Sequence, residues 1–385
     1  RAAVVARSGD EAARALAEGS GPVTGQARSD ARVSFLFVGG GSQFVGMGRE
    51  LFERESVFRE VFEQCARVVR EELGEDLRSL VFGEPSQGAT ERLNETRVQQ
   101  PALFAVQYAM AEQWRAWGVA PSAMVGHSLG EYVAATVAGV WTLPDAIRLV
   151  CARADLMHHQ APGAMLAVWL GEDQARELAN AAGCVVAAVN SPAQTVLSGT
   201  KESIERASRS MDERGIRHRV LATSHAFHSP LMEPMLEEFE RRVAQVDMRA
   251  PRIPFTSNVT GRWITTEQAT SASYWAEHVR STVRFSDDVT LLLRDEPETL
   301  LLEVGPGTSA GALVTDHEQA GNHIVMASMR HARDPRGDIQ RTREAMAHLW
   351  VNGVPIDWST LHTNRSPRRV PLPTYAFDTK RYWIE

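Results

Sequence analysis

The chain has 385 residues, 43% of them hydrophobic and 23% charged. That length suits two domains or one large domain with an insertion, and the composition is that of a globular chain with a sizeable core, not a disordered one. Lys and Arg number 41 against 48 Asp and Glu, a formal charge of −7. The basic excess needed to neutralise phosphates is missing, so no nucleic-acid partner is expected. No apolar run approaches the ~20 residues of a membrane span, and the first 20 residues lack a signal-peptide pattern. Cys65, Cys151 and Cys184 stand far apart. They form neither a disulfide framework nor a zinc spacing, and they read as buried thiols of a reducing, cytoplasmic compartment. The chain opens on Arg1 instead of methionine and reads as a piece of a longer polypeptide.

Residues 1–31 read as a linker, because Glu18-Gly-Ser-Gly-Pro-Val-Thr-Gly-Gln26 is loose and polar. A buried strand follows over Val33–Val38, then a turn of Gly39, Gly40 and Gly41. Helical periodicity runs through Val57–Leu73 and Pro101–Trp117, with Pro101 expected in the first turn. Ser122–Gly126 is a short apolar strand feeding a helix over Ser128–Ala138, and a further helix is expected over Asp145–His158. Residues 32–160 are thus α/β in pattern. The pattern then changes: strand Ala164–Leu170, helix Glu172–Ala182, strands Val185–Asn190 and Thr195–Ser198, helix Lys201–Arg214, strand Arg217–Ala222. That βαββαβ order over 161–222 is the ferredoxin-like arrangement, here inserted into a larger α/β unit. The larger unit resumes over 223–325 with strands at Arg252–Ser257 and Leu300–Val304. Residues 326–385 carry a helix near Ile339–Asn352 and then a Pro- and aromatic-rich strap, with prolines at 371 and 373 favouring extended chain.

Gly126-His127-Ser128-Leu129-Gly130 is a G-x-S-x-G between a strand and a helix, the pattern of a nucleophile elbow. The glycines permit a tight turn, and the serine stands at a helix N-terminus where unpaired N–H groups favour a developing oxyanion. A serine needs a base. His225 and His228, in Ser224-His-Ala-Phe-His-Ser-Pro230, lie where the chain leaves the inserted unit, a natural cleft. As an i, i+3 pair they also fit a zinc pair or plain loop residues, but no third ligand stands at useful spacing, so no metal is expected. Arg153 is a lone arginine on an Ala/Leu-rich helix. It fits a helix-pairing role or a bidentate clamp for a carboxylate. The turn at Gly39–Gly41 has backbone N–H groups able to complete an oxyanion hole. No Walker or dinucleotide fingerprint is present, which disfavours nucleotide binding.

Together these residues resemble the acyltransferase domain of modular type I polyketide synthases, relatives of malonyl-CoA:acyl-carrier-protein transacylase. The matching strings are Phe35-Leu-Phe-Val-Gly-Gly-Gly-Ser-Gln43, Gln99-Gln-Pro-Ala-Leu-Phe104, Gly126-His-Ser-Leu-Gly-Glu-Tyr132, Ala188-Val-Asn-Ser-Pro192, Ser224-His-Ala-Phe-His-Ser229 and Leu302-Glu-Val-Gly-Pro-Gly307. Leu372-Pro-Thr-Tyr-Ala-Phe377 with Arg381-Tyr-Trp383 is similar to the linker that follows such domains, and residues 1–31 to the linker from a preceding ketosynthase. The resemblance implies an α/β-hydrolase-like large part with a ferredoxin-like insertion. It implies that Ser128 is acylated, that His228 is its base, and that Arg153 binds the acyl carboxylate. Gln100, Phe227, His225 and His127 are implied to line the acyl site. Leu129 and Gly40 are implied as oxyanion donors, and a backbone carbonyl near His278 as the group that orients the catalytic histidine.

The family reads Pro-Gly-Gln-Gly where this chain has Val38-Gly-Gly-Gly41, so glycine replaces the usual glutamine at Gly40. A donor acting through its backbone N–H survives that change. Members with His-Ala-Phe-His tend to take malonyl units, and Phe227 fills the room an α-methyl needs. The implied reaction takes malonyl from malonyl-CoA to the phosphopantetheine of an acyl carrier protein, with no cofactor bound to the domain. The carrier protein and the neighbouring synthase domains are the expected partners. Arg214, Arg217, His218 and Arg219 form a basic cluster suited to an acidic carrier or, equally, a charged strand edge that blocks aggregation. A serine hydrolase of similar fold and a non-catalytic docking module are the competing readings. A hydrolase of neutral esters has no use for a buried Arg153, and a docking module has no need of Ser128, His228 and Arg153 together.

Overall fold

The computed structural model describes residues 1–19, 21–321 and 323–362, together with 371, 374 and 383. The expected C-terminal strap therefore lies almost wholly outside the described residues. At the other end the linker is tied down. Ala2–Ala3 pairs antiparallel with Val23–Thr24, and a helix capped by Ser8 spans Gly9–Glu18 between them. The Arg1 guanidinium donates to the Trp350 carbonyl at 2.7 Å, which fixes this hairpin to the helix near the C-terminus.

The elements that build the site follow in chain order. Strand β1 is Val33–Phe37, helix α1 Thr96–Ala116, strand β2 Ala123–Gly126, helix α2 Leu129–Val137 and helix α3 Leu143–His158. Then come β3 (Ala164–Val168), α4 (Glu172–Ala182), β4 (Val185–Ser191), β5 (Gln194–Gly199), α5 (Lys201–Glu213) and β6 (His218–Val220). Last are α6 (Ala272–Arg280), α7 (Phe285–Asp295), β7 (Leu300–Glu303), α8 (Ser309–Thr315), β8 (Val325–Ala327) and α9 (Asp338–Val351).

Strands β8, β7, β1 and β2 form one sheet in that order, all parallel. A parallel sheet is covered on both faces, so its strands are apolar throughout and not alternating. In β1 every residue is buried. Phe35 and Phe37 face the large core with α1 and α3, whereas Leu36 and the following Val38 face a second core. That second core also takes Met165, Ala167, Ala187 and Val196 from the other sheet.

The other sheet has the order β4-β5-β3-β6 and is antiparallel throughout, as a βαββαβ unit requires. Period-two alternation explains its two faces. Leu166, Val168, Val186 and Leu197 pack beneath α4 and α5, while their neighbours along each strand face the large sheet. The β4 edge is extended by Val283 of the large part: Val189 N–H donates to Val283 O and Val283 N–H to Ala187 O, each at 2.9 Å.

Two expectations are corrected. Helix α1 begins at Thr96, five residues before Pro101, so the proline lies inside the helix. The first turn is anchored without it, because the N–H groups of Val98 and Gln99 both donate to Glu95 O. The strand expected over Arg252–Ser257 shrinks to Thr256–Ser257, joined to β2 by a single bridge from Phe255 to Met124. Pro251 and Pro254 have no N–H to give to a longer ladder. Among the described residues no helix is long and apolar enough to cross a membrane.

Candidate active site

The elbow joins β2 to α2. A Cβ on Gly126 would lie 2.2 Å from Glu131 N, and one on Gly130 would lie 2.4 Å from Phe37 O. Neither position admits a side chain, so the sequence pattern is a steric requirement. Ser128 is held at φ 50°, ψ −108°. Among the described residues, the non-glycine residues with positive φ are Ser128 and His228, at 50° and 54°. Such strain costs about 1–3 kcal/mol per residue and persists where surrounding contacts impose it.

Those two residues meet. Ser128 Oγ lies 2.8 Å from His228 Nε2. His228 Nδ1 lies 2.9 Å from the Ser281 carbonyl, which can only accept. The proton is therefore on Nδ1, and the Nε2 lone pair faces the serine hydroxyl. Burial pushes the His228 pKa well below 6.5, and the neighbouring His278, Arg153 and His127 push it further down. The imidazole is thus neutral and ready to accept a proton. His225, the other candidate base, turns away. Its Nδ1 contacts Ser224 and Thr96 hydroxyls at 2.8 and 3.2 Å, and its Nε2 donates to the His158 carbonyl at 3.0 Å.

The orienting carbonyl belongs to Ser281, not to His278. His278 lies inside α6, where helical geometry directs its carbonyl along the helix axis. Ser281 caps that helix in extended conformation (φ −74°, ψ 154°), and this swings its carbonyl out. The His278 side chain is buried instead, with Nε2 3.2 Å from Glu131 Oε2 and its ring edge-on to His228 at 6.2 Å.

Arg153 projects from α3 and is 2% exposed. Its Nη2 lies 3.3 Å from Ser128 Oγ, its Nη1 donates to Gln100 Oε1, and its Cζ sits 5.2 Å from the centre of the Tyr132 ring. Its Nε has no hydrogen-bond partner among the described residues. No carboxylate of a described residue acts on its pKa, which burial lowers. Buried cations are ordinarily paired, so an anion beside the serine would complete the surroundings of this one. The far end of Gln100 contacts Met157 Sδ at 3.2 Å, which fixes the amide that braces Arg153.

Phe227 is half-buried and packs against both large cores, on the seam between the two parts of the fold, with its ring stacked 6.1 Å from His225. His127 reaches across that seam, its Nε2 2.8 Å from Asn190 Oδ1 in β4. The glycine turn lies against the elbow: a Cβ on Gly39 would come 2.8 Å from His127 Nδ1. Gln107 clamps its base, accepting from Val38 N–H at 2.7 Å and donating to Val38 O at 3.0 Å. The N–H groups of Leu129 and Gly40 donate to no described residue, whereas that of Ser128 is taken by Asn258 Oδ1 at 2.6 Å.

Sequence reasoning missed Asn258, Glu131, Tyr274 and Asp288, which form a buried polar group under the elbow. Glu131 carried a signal, because a charge one residue beyond the elbow glycine must enter the core with the helix. Asn258 carried none, being 130 residues from Ser128.

Residues 34–351 match the acyl transferase domain family. One component of the phenolphthiocerol/phthiocerol polyketide synthase of Mycobacterium tuberculosis is 38% identical over 355 residues, covering 92% of this chain and 23% of that protein. The chain therefore spans about a quarter of that relative's length. The acyltransferase domain from the second module of the salinomycin polyketide synthase superposes with a TM-score of 0.87 at 39% identity, covering 98% of this chain and 88% of that one. A malonyl-CoA:acyl carrier protein transacylase of Xanthomonas oryzae pv. oryzae superposes with a TM-score of 0.70 at 33% identity, covering 78% of this chain and 95% of that one. The chain thus belongs to the acyl transferase domain family, as an acyltransferase of the polyketide synthase and malonyl-CoA:acyl carrier protein transacylase type.

Proposed function

We propose that this domain moves malonyl from malonyl-CoA to the phosphopantetheine thiol of an acyl carrier protein, through an ester on Ser128. The observation that carries this reading is the buried Arg153, without a carboxylate partner among the described residues and 3.3 Å from the Ser128 hydroxyl. A guanidinium there pairs with the free carboxylate of a malonyl group and so brings the thioester carbon to the nucleophile.

The chemistry follows from the proton positions. His228 Nε2 takes the proton of Ser128 Oγ as the oxygen adds to the thioester carbonyl. The N–H groups of Leu129 and Gly40 receive the oxyanion, and the positive end of α2 lies behind Leu129. The C–S bond breaks, and the departing coenzyme A sulfur is protonated from His228. The carrier thiol then loses its proton to the neutral His228 and attacks the ester, and Ser128 recovers its proton. Phe227 occupies the space that an α-methyl would enter. An overpacked methyl costs about 1–3 kcal/mol, or about 10- to 200-fold in preference for malonyl over methylmalonyl. The three free buried thiols suit a cytoplasmic setting, and the longer relatives suit a place among other synthase domains.

Intact-protein mass spectrometry after equimolar malonyl-CoA, methylmalonyl-CoA and acetyl-CoA tests the proposal. A malonyl adduct is expected, absent in Ser128→Ala. Phe227→Ser should shift the mixture toward the methylmalonyl adduct. Rapid release of free malonic acid with no transfer to a carrier protein would instead mark a hydrolase.

A further inference from the structure

Asn258 is 1% exposed and is hydrogen-bonded through both its side chain and its backbone. Its side-chain oxygen accepts from Ser128 N–H at 2.6 Å, and its amide nitrogen donates to Gly126 O and to Asp288 Oδ2, each at 2.7 Å. Its backbone N–H donates to Glu131 Oε2, and its carbonyl accepts from Arg284 N–H, both at 2.8 Å. A backbone N–H and a backbone carbonyl flank the same amide, so only one orientation of it satisfies both.

We infer that Asn258 is a positioning residue: it holds the elbow from both sides and sets which backbone N–H groups face the substrate. Ser128 cannot relax from its strained φ without breaking the bond to Asn258. With its N–H occupied, Ser128 offers only its hydroxyl to the cleft, and the oxyanion falls to Leu129 and Gly40. The same residue reaches the other half of the dyad. Arg284, which donates to Asn258, lies three positions after Ser281, whose carbonyl accepts the hydrogen bond from His228 Nδ1. Val283 between them is paired to β4. Serine and histidine are thus registered to one another through Asn258 and the 281–284 segment, and displacements near 1 Å at a reacting group cost about 10²-fold in rate.

This inference rests on the reading of Ser128 as nucleophile, and two probes separate them. Malonyl-CoA in single-turnover mass spectrometry reports acylation, and a fluorophosphonate titrates an activated serine whatever the natural acyl donor. If the parent chain reacts with the fluorophosphonate but not with malonyl-CoA, the proposed substrate fails while the role of Asn258 is still measured. Asn258→Ala is expected to react about 10²-fold more slowly with either probe, with the half-saturating malonyl-CoA concentration within threefold of the parent. The double variant Asn258→Asp with Asp288→Asn restores the amide–carboxylate pair with its partners exchanged, yet turns a carboxylate oxygen toward the Gly126 carbonyl. It is expected to recover the unfolding midpoint but not the rate. Should Asn258→Ala not fold, the double variant decides alone. Reaction of a folded variant within threefold of the parent, or recovery of rate and midpoint together, overturns the proposal.

Discussion

Arg153→Met keeps a side chain of similar length at a site that is 2% exposed and removes the charge. Breaking a buried charge pair by removing one partner costs about 3–5 kcal/mol, which is about 10²- to 5,000-fold in rate. That loss is expected in kcat/KM for malonyl-CoA, because the pair exists only when the substrate carboxylate is bound. Acetyl-CoA has no carboxylate, so its kcat/KM should hold or rise. The stability effect is expected to be small, since two effects oppose each other. Losing an uncompensated buried cation is favourable, while leaving Gln100 Oε1 without its donor costs about 1–3 kcal/mol. Coenzyme A release with each thioester, alongside a urea unfolding curve, measures both. Equal losses for malonyl-CoA and acetyl-CoA would refute the carboxylate clamp. A drop of more than about 3 kcal/mol in stability would show that Arg153 is held for packing instead.

Two further outcomes follow from buried titratable groups. Because His228 titrates well below 6.5, kcat/KM should stay flat from pH 8 to below pH 6.5 and fall only as pH drops through that lowered value; an acid limb at or above 6.5 would contradict a neutral, desolvated base. The unfolded chain binds the proton more readily, so the same group contributes stability that is lost on acidification. Glu303 has the opposite sign: burial raises it from 4.5 to about 7, even though it accepts from Gly311 N–H at the start of α8. Stability should fall as pH rises from about 4.5 to about 7, by about 3 kcal/mol, and Glu303→Gln should flatten that slope in urea midpoints taken at pH 5 and pH 8. An unchanged slope would refute the assignment.

The parts legible in sequence were those set by neighbours along the chain. Period-two and period-3.6 patterns give the βαββαβ unit, whose antiparallel order follows from that sequence of elements. Gly126 and Gly130 announce the elbow because backbone crowding excludes any other residue. The spacing of prolines misled at α1, since a proline inside a helix lacks only its own N–H and the turn before it can be anchored elsewhere. The strand expected over Arg252–Ser257 is too long for a different reason: Pro251 and Pro254 interrupt the ladder.

What the sequence by itself determined, then, is the elbow that presents Ser128, the inserted fold and a short list of residues that could meet it, because turn sterics and side-chain periodicity act over a few residues. Residue patterns alone left His225 and His228 as alternatives and Arg153 with two roles; the family resemblance singled out His228 and Arg153, and tertiary structure shows how they are placed. His228, not His225, faces Ser128; the Ser281 carbonyl, 53 residues from His228, accepts the hydrogen bond from its Nδ1; and Arg153 has no carboxylate beside it among the described residues. Those outcomes depend on strand order, on which carbonyl a helix end sets free, and on what lies across the seam between two sheets. Each is a relation between distant segments that no local pattern encodes.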